Sequence, residues 1–220
     1  MYKKILVICL PIIAIMFLLY SWLHRVPEGK LPAWSLDAAS SPYLATQFTL
    51  QGYSIRPPLG YDNKYADSLK ALDAFGLNMY EWYNVANRKN ASGLSIQIIR
   101  RPNLDSPREF LNYQLKMESK DEKNFFHTNP EVGKVNNLIF ARAHWTGIEQ
   151  DPSGSYSKRG FFYCTTDAMK GICISGYDRV PCNSDPCNYQ SIDQQALSVT
   201  EAAALSFHSL WVGYDIVFCS

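Results

Sequence analysis

The sequence predicts an α+β domain built on one largely antiparallel sheet with two or three helices, carried behind a single N-terminal transmembrane helix. Three observations lead there: an uncharged apolar run near the start, several β-type runs that include a hairpin, and only two strong helix starts among them. Of the 220 residues, 47% are hydrophobic and 19% charged, enough apolar material for a real core and too little charge for a disordered chain. Lys plus Arg number 21 against 20 Asp plus Glu, without a run of either sign, so a nucleic-acid partner is not expected.

Residues 5–23 hold no charged side chain and follow Lys3 and Lys4. At about 1.5 Å per residue this run spans roughly one hydrocarbon thickness. A cleaved signal peptide is the competing reading, but the apolar stretch is long for one and no small-x-small site follows it closely. The expectation is a retained anchor, with residues 1–4 as a cytoplasmic tip and Tyr20 and Trp22 at the far interface. Flanking charge leaves the orientation open, since Arg25 and Lys30 balance the two lysines. Cysteine placement decides it: Cys164, Cys173, Cys182, Cys187 and Cys219 all fall in the last third, as in an exported, oxidised segment. The main domain is then periplasmic or extracellular.

Residues 24–45, with Pro27, Pro32, Pro42 and Gly29, read as a linker or a surface-hugging arm, and residues 46–220 as the domain. A strand is expected over 46–55, ended by Pro57, Pro58 and Gly60. A short helix follows over 67–75, stopped by Gly76, and then strands over 77–84 and 94–100. Ser106-Pro107-Arg108-Glu109 combines an N-cap serine, proline at the first helical position and glutamate at the third, the clearest helix start in the chain. Phe110, Leu111, Tyr113, Leu115 and Met117 supply its apolar stripe. Residues 137–145 read as a strand with Ile139, Ala141, Ala143 and Trp145 on one face and Arg142 and His144 on the other. Runs at 160–166 and 171–177 form a hairpin turning at 167–170. Ser198 and Glu201 resemble a second capping box, opening a helix with Val199, Ala203, Phe207, Leu210 and Trp211 on one side; residues 214–219 could close the domain as a strand.

This order of elements resembles the PsbP-like family. Gly52-Tyr53-Ser54-Ile55-Arg56-Pro57-Pro58-Leu59-Gly60-Tyr61 is similar to that family's strand leading into a Pro-x-Gly-aromatic turn. The strand over 94–100 with the helix from Ser106, and then the Arg142 strand, the hairpin and the helix ending at Trp211, look like the rest of it. The likeness covers residues 50–211; the Cys182–Cys187 segment and the tail after Tyr214 depart from it. What it implies is a non-enzymatic binding or assembly module, with no catalytic residue to carry over.

Pairing Thr166 with Gly171 in the hairpin also sets Cys164 opposite Cys173 on one face, where a cross-strand disulfide can form. Cys182 and Cys187 could staple a turn-rich loop, leaving Cys219 to pair elsewhere; five cysteines cannot all pair internally. No metal or cofactor is expected, since no histidine stands at zinc spacing and no Walker, dinucleotide, zincin or nucleophile-elbow motif is present. His144, beside Arg142 and Trp145, is the histidine singled out as a binding residue, and Tyr80, Trp82 and Tyr83 are the aromatic cluster expected to line a binding face. Together these point to a membrane-anchored extracytoplasmic protein-binding module without catalysis: an assembly subunit, an envelope accessory or an immunity-type inhibitor. The alternatives are an exported hydrolase or thiol enzyme, using Cys219 or Cys187 with His144 or His208, and a small-ligand or lipid carrier.

Overall fold

The computed structural model describes residues 31–63, 77–84, 91–100, 106–152, 154–167, 170–182, 187 and 194–210. The anchor expected over 5–23, the helix over 67–75, the closing strand over 214–219 and Cys219 lie outside them. Among the described residues no helix is long and apolar enough to cross a membrane.

Twelve strands and two helices are described: β1 (Ala33–Trp34), β2 (Phe48–Leu50), β3 (Tyr53–Ile55), β4 (Asp62–Asn63), β5 (Leu77–Asn84), β6 (Ala91–Arg100), α1 (Pro107–Asp121), β7 (Glu122–His127), β8 (Glu131–Val135), β9 (Leu138–Asp151), β10 (Gly154–Asp167), β11 (Lys170–Pro181), α2 (Gln194–Leu205) and β12 (His208–Ser209). The large sheet runs β1-β8-β9-β10-β11-β6-β5-β4, antiparallel except for β1 against β8. β7 pairs with the C-terminal part of β9, alongside which β8 takes the N-terminal part. A small sheet, β12-β3-β2, completes the strands.

The sheet buries both faces. Phe161 and Tyr163 of β10, Ile172 and Ile174 of β11 and Ile96 and Ile98 of β6 face α2 and the small sheet. Phe162 and Cys164, Cys173, and Ala141, Ala143 and Trp145 of β9 face α1. Period-2 alternation thus feeds two cores at once. The α1 start forms as its sequence dictates: the Ser106 side chain accepts from the Glu109 amide. Only part of its expected stripe is buried, however. Phe110, Leu111 and Leu115 reach the core, whereas Tyr113 and Met117 are exposed, because a helix lying on a flat sheet covers a narrower arc than the sequence offers.

Other elements differ from expectation. The strand over 46–55 is two strands, β2 and β3, folded at Gln51-Gly52, where both φ angles are positive (45° and 90°) as a two-residue hairpin with a primed turn demands. Residues 33–34 of the expected linker are a strand on the β8 edge. β7 and β8 arise from residues without clear alternation. α2 begins at or before Gln194, so Ser198 and Glu201 sit inside it and form no capping box.

The β10–β11 hairpin has the predicted register, Thr166 opposite Gly171 and Cys164 opposite Cys173. Cys164 is bonded to Cys173, nine residues on, and Cys182 to Cys187. Three glycines in the sheet each face an aromatic ring on the neighbouring strand. Trp145 lies over Gly160, Phe161 over Gly176 and Tyr177 over Gly93, each at a distance that a Cβ would violate, between 2.4 and 2.8 Å. Beside α1, Lys158 gathers three carboxylates, Glu122 at 2.6 Å, Glu118 at 3.3 Å and Glu149 at 4.0 Å. Arg179 pairs with Glu149 and Asp151.

Candidate functional site

Where β9 and β10 run beneath α2, alternation turns Arg142, His144 and Tyr163 to one face, and α2 lowers Glu201 onto them. Arg142 Nη1 donates to the Tyr163 hydroxyl at 3.0 Å, and that hydroxyl donates to Glu201 Oε1 at 2.7 Å. His144 Nε2 meets the same carboxylate oxygen at 2.9 Å. On its other side Arg142 donates from Nε to Glu131 of β8 at 3.0 Å, and its guanidinium lies 4.1 Å over the ring of Trp34. The Thr128 hydroxyl accepts from the His144 amide, while the Thr128 amide donates to the His144 carbonyl. The result is a chain of charges and dipoles held by long strands.

Burial pushes the Glu201 carboxyl up, but the hydrogen bonds from His144 and Tyr163 and the charge of Arg142 outweigh it and hold the group below its usual range. Burial and the Glu201 charge together push the Tyr163 phenol well above its ordinary value, so it stays a donor. Burial works against the Arg142 charge, yet Tyr163 and Glu131 more than restore it. These hydrogen bonds orient the partly exposed Arg142 and His144.

An open pocket of about 210 Å³ continues from His144 along the same face, lined by Phe126, His127, Thr128, His144, Trp145, Thr146 and Arg159. A second, of about 260 Å³, lies between Tyr43, Leu59, Tyr61, Asn84 and the start of α2. Among the described residues no three His, Cys, Asp or Glu side chains converge as metal ligands.

The structure brings together two of the five residues singled out for binding, Arg142 and His144. Tyr80 and Trp82 are in the core, 8% and 2% exposed, with their rings against Phe48 of β2. Tyr83 lies on the opposite face of β5, half-buried, its hydroxyl hydrogen-bonded to Glu81. The three therefore make no common binding surface, because Tyr80 and Trp82 point into the core and Tyr83 to the other face. Cys187 is tied to Cys182, and as a disulfide it offers no thiolate. His208 does meet a serine, Ser54 Oγ at 2.8 Å, but Ser54 is 0% exposed and the contact fastens β12 to β3. Sequence reasoning missed Tyr163, Trp34, Glu131 and Arg159, and took Glu201 for a cap; only their positions across strand pairs reveal them.

No family model and no curated protein matches the sequence. Solved structures do resemble the chain. A point mutant of the protein Mog1 superposes with a TM-score of 0.51 at 8% identity, over 75% of this chain and 95% of that one. The Saccharomyces cerevisiae Ran-binding protein Mog1p gives 0.49 at 9% identity, with the same 75% and 95%. LpqN, involved in cell envelope biogenesis of Mycobacterium tuberculosis, gives 0.43 at 8% identity over 80% of this chain and 95% of its own. The chain thus has a sheet-dominated α+β fold of the Mog1/PsbP-like kind.

Proposed function

We propose that the protein is an extracytoplasmic, membrane-anchored, non-catalytic protein-binding module, acting as an assembly subunit, envelope accessory or immunity-type inhibitor. Residues 1–4 lie in the cytoplasm, 5–23 form the anchor, and the exported domain begins with the arm that carries β1. One observation carries the binding role: Arg142 and His144 are held partly exposed by a hydrogen-bond chain, with the Arg142 guanidinium over Trp34. Arginine and aromatic side chains on a rigid mount are the usual anchors of protein interfaces. The two disulfides support an oxidising compartment. The fold supports the role by analogy alone, Mog1 being a Ran-binding protein.

The test is capture of the full chain from gently solubilised membranes, followed by mass spectrometry under non-reducing conditions. A stoichiometric partner that is lost with Arg142→Glu bears the reading out. A protein recovered alone, or a single fast-reacting thiol that turns over substrate, overturns it.

A further inference from the structure

Arg159 occupies the cross-strand position opposite Thr146 on β9, on the face that carries His144. Among the described residues it forms no ion pair, not even with Asp178, its cross-strand neighbour on β11, although every other strand-borne arginine of β9 to β11 is matched to a carboxylate. Around it the pocket is lined by His127, His144, Thr128 and Thr146, and by no Asp or Glu. Of the two acids on this face, Asp178 is buried on β11, and Glu201 is spent on His144 and Tyr163. Phe126 stands over one side, 69% exposed. Next to it β7 pairs only with β9 among the described residues, leaving the backbone groups of its outer edge available to an extended chain.

We infer that this pocket is a recognition site for an acidic peptide segment, its carboxylate taken by Arg159 with help from the two threonine hydroxyls and the histidines. The inference rests on the binding-module reading and names the chemistry of its partner. A guanidinium offers two parallel N–H donors that match a carboxylate's two oxygens, and a volume near 210 Å³ admits a glutamate side chain with its methylenes against Phe126. An acidic strand added along β7 would deliver such a side chain without rearranging the sheet.

The test titrates the full chain with blocked acetyl-Gly-Glu-Gly-Glu-Gly-amide, its glutamine counterpart and inorganic phosphate, following the ring-proton resonances of His127 and His144. The glutamate peptide is expected to move both resonances and the glutamine peptide neither. Arg159→Gln should weaken binding by about tenfold or more, the loss of a charge-assisted pair, while Arg159→Lys retains part of it. Equal binding of the two peptides, an unchanged affinity with Arg159→Gln in a folded protein, or tighter binding of phosphate than of the glutamate peptide would each overturn the inference. The two readings fail separately. A membrane partner retained in full by Arg159→Gln sinks the pocket and spares the module, whereas peptide binding without any captured partner does the reverse.

Discussion

Replacing Glu201 by glutamine removes one negative charge from the centre of the Arg142–Tyr163–His144 chain and little else, since the amide oxygen can still accept from Tyr163. Two side chains converge on Glu201 Oε1, at 2.7 and 2.9 Å. Hydrogen bonds to a charged group contribute about 1.5–3 kcal/mol each where solvent is excluded. The carboxylate is 24% exposed, and one acceptor role survives in the amide, so the expected net loss is about 1–2 kcal/mol at pH 7. The sign of its pH dependence follows from the lowered carboxyl pKa. A group held below its unfolded value contributes stability that is present above that value, about 4.5, and is lost as pH falls through the lower native one. Urea unfolding at pH 7 and at successive steps below pH 4.5 should therefore show a gap between wild type and variant that closes in acid. A gap of the same size at every pH, or none at pH 7, would refute the electrostatic account and leave Glu201 a packing residue.

Other variants probe the frame. Cys164→Ala with Cys173→Ala opens a cross-link nine residues apart and should cost about 3 kcal/mol on the chain-entropy estimate, seen as a lower melting temperature that reductant reproduces in the wild type. Trp82→Ala should cost about 3–5 kcal/mol in denaturant unfolding while leaving partner capture intact wherever the domain remains folded, because the ring is core and not surface. Lys158→Met takes the cation from Glu118 and from Glu122, whose carboxyl burial already raises despite the lysine, while Glu149 keeps Arg179. A loss of about 3 kcal/mol is expected, with part of it regained in the double variant with Glu122→Gln.

Local chemistry was legible in the sequence and cross-strand chemistry was not. Ser106, Pro107 and Glu109 specify α1 within one turn, and the β10–β11 register follows from counting outward from the turn at 167–170. The Ser198–Glu201 pattern has the same local form but serves a contact with His144, 57 residues away, that no window could contain. Gln51 concealed a hairpin because primed turns favour Asn or Asp at that position, and Gly52 alone had to signal it. Tyr80, Trp82 and Tyr83 alternate as any strand does; which face was buried depended on how many layers the sheet would acquire. Arg159 could be weighed only once the ladder placed it beside Thr146 and on the face of His144.

The ring-over-glycine contacts at Gly93, Gly160 and Gly176 bear on how the chain comes to be oxidised correctly. A slip of one residue in either β10 pairing would move a ring from its glycine onto a position with a Cβ, and the clash would fall on opposite faces at once. Cys164 and Cys173 meet only in the register those rings permit. Closure of that bond therefore records that β10 and β11 have already aligned, and thiol oxidation becomes a clock for assembly of that hairpin rather than its cause.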